Sequence, residues 1–431
     1  MSDVFFSVTD SHGVLLHAND LFVALSRYDR DTLIGSPYTI TRHPDMPSAV
    51  FDVLWEELSA GRMFAGTLTN RAADGTSYTV YTTVSPIGDD RFLWVRTRPM
   101  DAARSAQATE WYRELAELEA RLRESGADSR EAGEQATARF AALLEDAGFP
   151  TFAAFHAHTF PLEVARFERR SGPFPEHPAA SGEAAALLAR ATEVDRTLGP
   201  WPVQLHRLSR LSGALRRAIE QLQHELDATA SSITDITDLA ASTQDSQLYE
   251  PLTIWAQMQD LITGYVVELI AVLGRLDDAN TENCLQTALA KLHSRTLAAF
   301  AVELVDRPKH ANTKSEAVTL LATSFRLSLA ELDKQSISHR LLAEQTITEI
   351  TKSTSMLSGS RKLLLDWQRQ IASARLSPEM RLLAEGVNDS VARLGETFAE
   401  LGHIVELCDE ISVGEDSRAL LALIEPPRPG A

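Results

Sequence analysis

The chain has 431 residues, with 41 Lys+Arg against 60 Asp+Glu, a formal net charge of −19 and 44% hydrophobic residues. At about 150 residues per domain that allows two or three domains with cores of their own, and the composition is too apolar for a disordered polymer. The acidic balance argues against a nucleic-acid partner, which needs concentrated positive charge to displace counterions.

Two cysteines, Cys284 and Cys408, are too few for a disulfide framework or a cysteine-based zinc site and fit a reducing compartment. The first ten residues, MSDVFFSVTD, lack the basic start and continuous apolar run of a secretory signal. The most apolar stretch, Leu261 to Leu276, is interrupted by Glu268 and falls short of the roughly 20 residues that span a bilayer. The expectation is a soluble cytoplasmic protein with no membrane span.

In chain order, Asp3–Thr9 and Val14–Ala18 are β-prone runs joined by the turn Asp10-Ser11-His12-Gly13. Asn19 or Asp20 then caps a short apolar segment, Leu21 to Leu25. Residues 48–60 carry Val50, Val53, Leu54 and Leu58 at helical spacing and end at Gly61. Three further β-prone runs follow, Phe64–Thr69, Tyr78–Val84 and Phe92–Thr97, with the hairpin signal Asp74-Gly75 between the first two. The order ββ, helices, βββ predicts an α+β domain over residues 1–100 built on an antiparallel sheet.

From Met100 onward strand signals fade. Trp111–Arg123 is helical in composition, and Ser125-Gly126 and Ser171–Pro178 are breaks. Leu215, Ile219, Leu222, Leu226, Thr229, Ile233 and Ile236 alternate spacings of four and three, a heptad stripe. Met258, Ile262, Tyr265, Leu269, Val272 and Leu276 repeat it, as do Val387, Val391, Leu394, Phe398, Leu401 and Val405; Leu329–Ile350 is looser. We expect a helical connector over 101–200, long helices forming a bundle or coiled coil over 201–415, and a flexible tail over 416–431. Heptads leave the number of chains open. The helix lengths and the polar run 231–247 favour a homodimer, and an intrachain bundle core is the equal alternative.

No Gly-x-Ser-x-Gly elbow, His-Glu-x-x-His pair or GxGxxG after a strand is present, so no catalytic residue is assigned and the protein is not expected to be an enzyme. His156 and His158 would diverge on a helix, so no metal site is assigned. The one concentrated signal is Thr41-Arg42-His43-Pro44-Asp45-Met46-Pro47, a cation, an imidazole and a carboxylate between two prolines ahead of a helix. Asp45 or Ser48 would cap that helix, and Arg42 suits an anionic or planar group. The plainer alternative pairs Arg42 with Asp45 and lets Pro47 open the helix.

His17-Ala18-Asn19-Asp20-x-Phe22, then Arg42 to Pro47, then Trp55, then Asn70-Arg71-x-x-x-Gly75-x-x-Tyr78 resemble, in that order, the PAS domain of bacterial aerotaxis receptors. The resemblance covers residues 4–100 and implies a five-stranded antiparallel PAS sheet with helices that holds FAD noncovalently and reports redox state or oxygen. It points to Arg42, His43 and Asp45, with Asn19, Trp55 and Asn70, as cofactor-binding residues. Read singly, Asn19 is a helix cap, Trp55 a core aromatic and Asn70 a turn residue. The chain departs from the family at Phe64-Ala65-Gly66, Ala72-Ala73 and Thr79, where two tryptophans and some basic charge are missing. No cysteine lies in the domain to form a light-driven flavin adduct.

The resemblance also implies signalling partners of the chemotaxis type and a divergent chemoreceptor-like helical output. Arg340-Leu341-Leu342-Ala343-Glu344-Gln345-Thr346 and the stretch from Leu289 to Glu303 are faintly similar to such helices, but the Glu-Ala-Ala-Arg-Ala-Gly tip is absent. The alternative is a scaffold or dimerisation protein with a cofactor-free PAS domain that recruits partners. Any anionic cofactor in the first hundred residues must be held by arginine, histidine and backbone, because the first lysine is Lys291.

Overall fold

The computed structural model describes residues 4–88, 90–241, 246–306, 311–371 and 378–412. The β-prone runs form strands β1 (Phe5–Asp10), β2 (Leu15–Ala18), β3 (Phe64–Arg71), β4 (Ser77–Pro86) and β5 (Arg91–Thr97). They make one antiparallel sheet in the order β2-β1-β5-β4-β3, so β5 is central and β3 is an edge. Asp10 Oδ1 holds the first turn by accepting N–H bonds from His12 and Val14, both at 2.9 Å, while Gly13 takes a φ of 76°. The second hairpin turns at Gly75, φ 87°. Both are backbone conformations that a Cβ disfavours.

Helix α1 (Asp20–Ser26) is capped by Asn19, whose Oδ1 accepts from the Phe22 N–H at 3.2 Å and the Phe6 N–H at 3.0 Å. One amide oxygen thus starts the helix and ties it to β1. A short α2 (Arg30–Leu33) and a 3-10 turn (Tyr38–Thr41) lead to α3 (Ser48–Ser59). The expected local cap of α3 is absent: Pro47 occupies the N-cap position and Asp45 is exposed. The Glu119 carboxylate of α4 (Ala102–Glu124) does the capping instead, accepting from Ser48 Oγ at 2.8 Å and the Ala49 N–H at 3.1 Å. A buried carboxylate suits the positive end of a helix and satisfies an N–H with no intrahelical partner.

Helices α5 (Ser129–Asp146), α6 (Phe152–Arg170) and α7 (Gly182–Thr197) follow; the expected breaks separate α4 from α5 and α6 from α7, and a further one at 147–151, not expected from sequence, separates α5 from α6. The long α8 (Trp201–Ala241), α9 (Ser246–Asp306), α10 (Ala311–Ile371) and α11 (Pro378–Ser412) complete the mostly helical remainder. Compactness divides the chain into two units. One is built on Met1–Pro202 with Cys284–Lys334, the other on Val203–Asn283 with Gln335–Glu415.

In the first unit the outer face of β1 is covered by α9. Phe6 meets Phe300 edge-on at 5.0 Å, and the Asp20 N–H donates to Glu303 Oε1 at 3.0 Å. Lys291 is buried, with Nζ 3.1 Å from Glu168 Oε1 and 2.5 Å from Asp195 Oδ1, so its charge is compensated where water is excluded. In the second unit Leu215 and Leu222, Ile262, Leu269 and Leu276, and Phe398 and Leu401 share one core with Ala343 and Ile350. The apolar stripes therefore meet within one chain as a helical bundle. The side chains of Leu226, Thr229, Ile233, Ile236, Val387, Val391 and Leu394, the side chains of 231–247, and the tail from 416 lie outside the described residues. Among the described residues no helix is long and apolar enough to cross a membrane.

Two stability predictions arise here. Glu119→Ala removes a cap from another helix and leaves the Ala49 N–H unsatisfied, so it should destabilise the first unit by about 1–2 kcal/mol, read as a lower midpoint in urea. Burial also pulls His156 and His339 down to about 4 and His293 to about 3. Unfolded histidines titrate near 6.5. The unfolded chain then binds more protons over that interval, and stability present above pH 6.5 is lost as pH falls toward 4. Thermal melts should show a steady loss from neutral pH downward, with a shallower slope in His156→Phe.

Candidate functional site

The inner face of the sheet is set by parity. Side chains two apart share a face, as do directly paired residues on neighbouring strands. In β5 this groups Phe92, Trp94 and Arg96; Phe5 and Thr82 lie opposite Arg96, and Asn70 of β3 lies opposite Tyr78 of β4. One half of this face is aromatic. Tyr38 stacks on Trp94 with ring centroids 5.0 Å apart and accepts from Trp55 Nε1 at 3.0 Å; Phe92 meets Trp55 edge-on at 5.6 Å.

The other half is polar and buried. Asn70 Nδ2, Tyr78 OH and Thr82 Oγ1 are enclosed with no hydrogen-bond partner. Tyr78 lies beside Asn70 without reaching hydrogen-bond geometry. Burial raises its phenol above the ordinary value, against the opposing influence of Arg96 and Asn70. Arg96 is buried, donates from Nη1 to Ser7 Oγ at 3.0 Å and lies over the Phe22 ring at 4.8 Å.

The RHPDMP segment runs along the open edge of β3. Arg42 forms a bridge with Asn70, and the His43 N–H donates to Thr69 O at 3.3 Å. Arg42 is half-buried, donates from Nη2 to Met46 O at 2.7 Å and stacks 4.1 Å over Phe51. Burial pulls its guanidinium below the ordinary value, opposed by Tyr38, Glu119 and Asp52. His43 Nδ1 accepts from the Asp45 N–H at 3.2 Å, which assigns the neutral ring's proton to Nε2. The Asp45 carboxylate points to solvent, 86% exposed and 3.7 Å from that Nδ1.

The six residues singled out from sequence thus divide. Arg42 and Asn70 come together at the β3 edge, and Trp55 belongs to the aromatic wall. His43 and Asp45 form the outer turn, and Asn19 is occupied in starting α1. Tyr38, Thr82 and Arg96 were not among the sequence candidates, and Tyr78 entered only as the last residue of the family motif. Arg96 carried a signal, since FLWVRT places an arginine on the same parity as Phe92 and Trp94. On the other side of the sheet Tyr81, Trp111, Phe152 and Glu163 help line a cavity of about 40 Å³, room for only a water or two. His156 is buried and His158 exposed on α6, so the two do not converge.

Residues 2–98 match the PAS fold family, and the N-terminal α+β domain is a PAS domain. Over 99 residues it is 36% identical to the aerotaxis receptor of Escherichia coli (strain K12), a match covering 22% of this chain and 20% of that protein. The chain therefore spans about a fifth of that receptor's length. Among solved structures, the light-state blue-light photoreceptor Aureochrome1 LOV is 18% identical with a TM-score of 0.23, over 25% of this chain and 89% of its own. The Rhodobacter sphaeroides LOV protein is likewise 18% identical, with a TM-score of 0.22 over 34% of this chain and 89% of its own.

The aromatic wall is testable through Gly13. A Cβ there would stand 2.7 Å from Tyr38 Cδ1 at a φ of +76°. Gly13→Ala should displace Tyr38 from Trp94 and destabilise the domain by more than about 1 kcal/mol. The check is a changed near-UV circular dichroism signal together with a lowered melting temperature.

Proposed function

We propose that this chain is a non-enzymatic PAS sensory protein that holds FAD on the inner face of its sheet. It senses redox state or oxygen there and passes the state to its helical region. The observation that carries this reading is the set of orphaned polar atoms, Asn70 Nδ2, Tyr78 OH and Thr82 Oγ1, beside an aromatic wall. They lie in a domain 36% identical to that of an aerotaxis receptor. Buried polar groups ordinarily find partners, and these residues fit a flat ring that offers carbonyl and ring-nitrogen acceptors and wants apolar walls.

FAD, when bound, supplies the redox change; the chain supplies the groups that respond to it. The Asn70 side-chain amide offers a donor at one end and an acceptor at the other, so it can hold either protonation pattern of a ring edge by turning over. Arg42, bridged to Asn70, is a cation that would serve the cofactor's phosphates; His43 and Asp45 shape its turn, Trp55 backs the wall, and Asn19 fixes α1. The opposite face of the sheet packs Phe6 on Phe300 of α9 and stacks Tyr81 on Phe160 of α6 at 6.4 Å. Altered inner hydrogen bonding would therefore reach the helices through packed rings. In this reading the chain is cytoplasmic, pairs with a second copy, and signals to partners of the chemotaxis type.

The ring contacts among Tyr38, Trp55, Phe92 and Trp94 support a second reading, a cofactor-free PAS domain serving as a dimerisation or docking scaffold. An absorbance spectrum separates the two. The sensor should show visible flavin bands, as purified or after FAD is added, and Asn70→Ala and Arg42→Ala should each weaken FAD binding by roughly tenfold. A wild-type chain without such bands even in excess FAD leaves the scaffold.

A further inference from the structure

We infer that Arg96, with Asn70, Tyr78 and Thr82, forms a donor cradle for the negatively polarised, acceptor-rich edge of a planar ligand, and that Arg96 makes the site prefer the ligand's anionic form. This deepens the flavin reading and rests on it for the identity of the ligand.

The case begins with an uncompensated charge. Arg96 is 4% exposed, and among the described residues no carboxylate forms an ion pair with it. Its recorded contacts are Ser7 Oγ and the faces of Phe22, Trp94 and Phe5, at 4.8, 5.3 and 5.9 Å. Other buried charges have partners of opposite sign: Lys291 has two carboxylates, and the buried Glu225 meets Arg393 at 3.0 Å. A guanidinium offers five N–H donors and no acceptor, so one bond to Ser7 leaves most of them unmatched.

Register gathers the other orphans around it. Thr82 is opposite Arg96, Tyr78 lies four residues along the same strand, and Asn70 is opposite Tyr78. The Asn70 Nδ2 only donates, and the two hydroxyls donate or accept. The complement of such a set is rich in acceptors. A fixed cation in a dry site also favours the negative form of whatever faces it. Burial already pulls the Arg96 guanidinium down to about 10, a penalty on its charge that an anionic ligand would relieve. The competing account makes Arg96 a structural cation held by the aromatic rings alone.

The full-length wild type, Arg96→Met and Arg96→Lys should be compared in two measurements. The first is thermal melting without ligand. Replacing an uncompensated buried charge by an apolar chain of similar length should raise the midpoint by a few degrees, with Arg96→Lys near wild type. The second is anaerobic titration with oxidised and with reduced FAD. Arg96→Met should lose roughly tenfold more affinity for the reduced, negatively charged form than for the oxidised one, and Arg96→Lys should recover part of that loss. A lower ligand-free midpoint for Arg96→Met, or failure to fold, overturns the inference in favour of the structural cation. Unchanged affinities in a folded Arg96→Met overturn it while leaving the flavin reading intact. Should the wild type bind neither form of FAD, the flavin reading falls and melting decides alone: a rise keeps Arg96 as the cation of a site for a different anionic planar ligand, and a fall ends it.

Discussion

The central position of β5 governs the PAS domain. It is hydrogen-bonded to β1 on one side and β4 on the other, and both its faces are covered. Each residue from Leu93 to Thr97 is buried. Because the side-chain period is two, a slip of one residue would exchange the two faces wholesale. The register that puts Trp94 against Tyr38 is therefore the same register that buries Arg96. The aromatic wall and the polar cradle are one decision of strand pairing.

That decision is energetically uneven. An unsatisfied buried polar group costs about 1–3 kcal/mol, and three of them share the inner face with a buried cation that lacks an acid. Other buried charges in the first unit are well matched: Glu119 accepts from Ser48 and Ala49, and Lys291 lies between Glu168 and Asp195. Orphaned hydroxyls also occur on the opposite face, at Tyr81 and Ser85, but only on the inner face do they stand beside a buried cation without an acid; local rules broken together in this way are a common mark of a binding surface.

Much of this was legible in sequence because it is local. The Asp10–Gly13 turn, the Asn19 cap, the Asp74-Gly75 hairpin and the breaks near Gly126 and after Arg170 follow from short-range chemistry, and each is present. The cap of α3 was not legible, because its carboxylate comes from Glu119, 70 residues from Ala49. The site divided likewise. Arg42 and Asn70 stood out as parts of a motif, whereas Arg96 and Thr82 become a pair only through β4–β5 register. Parity within FLWVRT was the available clue, and weighing an inward-facing arginine by the same period as its aromatic neighbours would have found it. For the helical region, heptad spacing gave the packing faces of α8, α9 and α11 but left their partners open, and in the described core those partners are helices of the same chain.

The RHPDMP segment acquires a mechanical meaning from these long-range contacts. It is anchored to β3 through the Arg42–Asn70 bridge and the His43–Thr69 bond. Its far end opens α3, whose first turn is held by Glu119 of α4. Glu119 also contributes to the field at Arg42. The carboxylate that holds the positive end of α3 therefore lies on the helix that carries the chain out of the PAS sheet. Coupling from the site to that helix needs contiguous packed and hydrogen-bonded groups, and the path from Asn70 through Arg42 and the start of α3 to α4 is contiguous at every step.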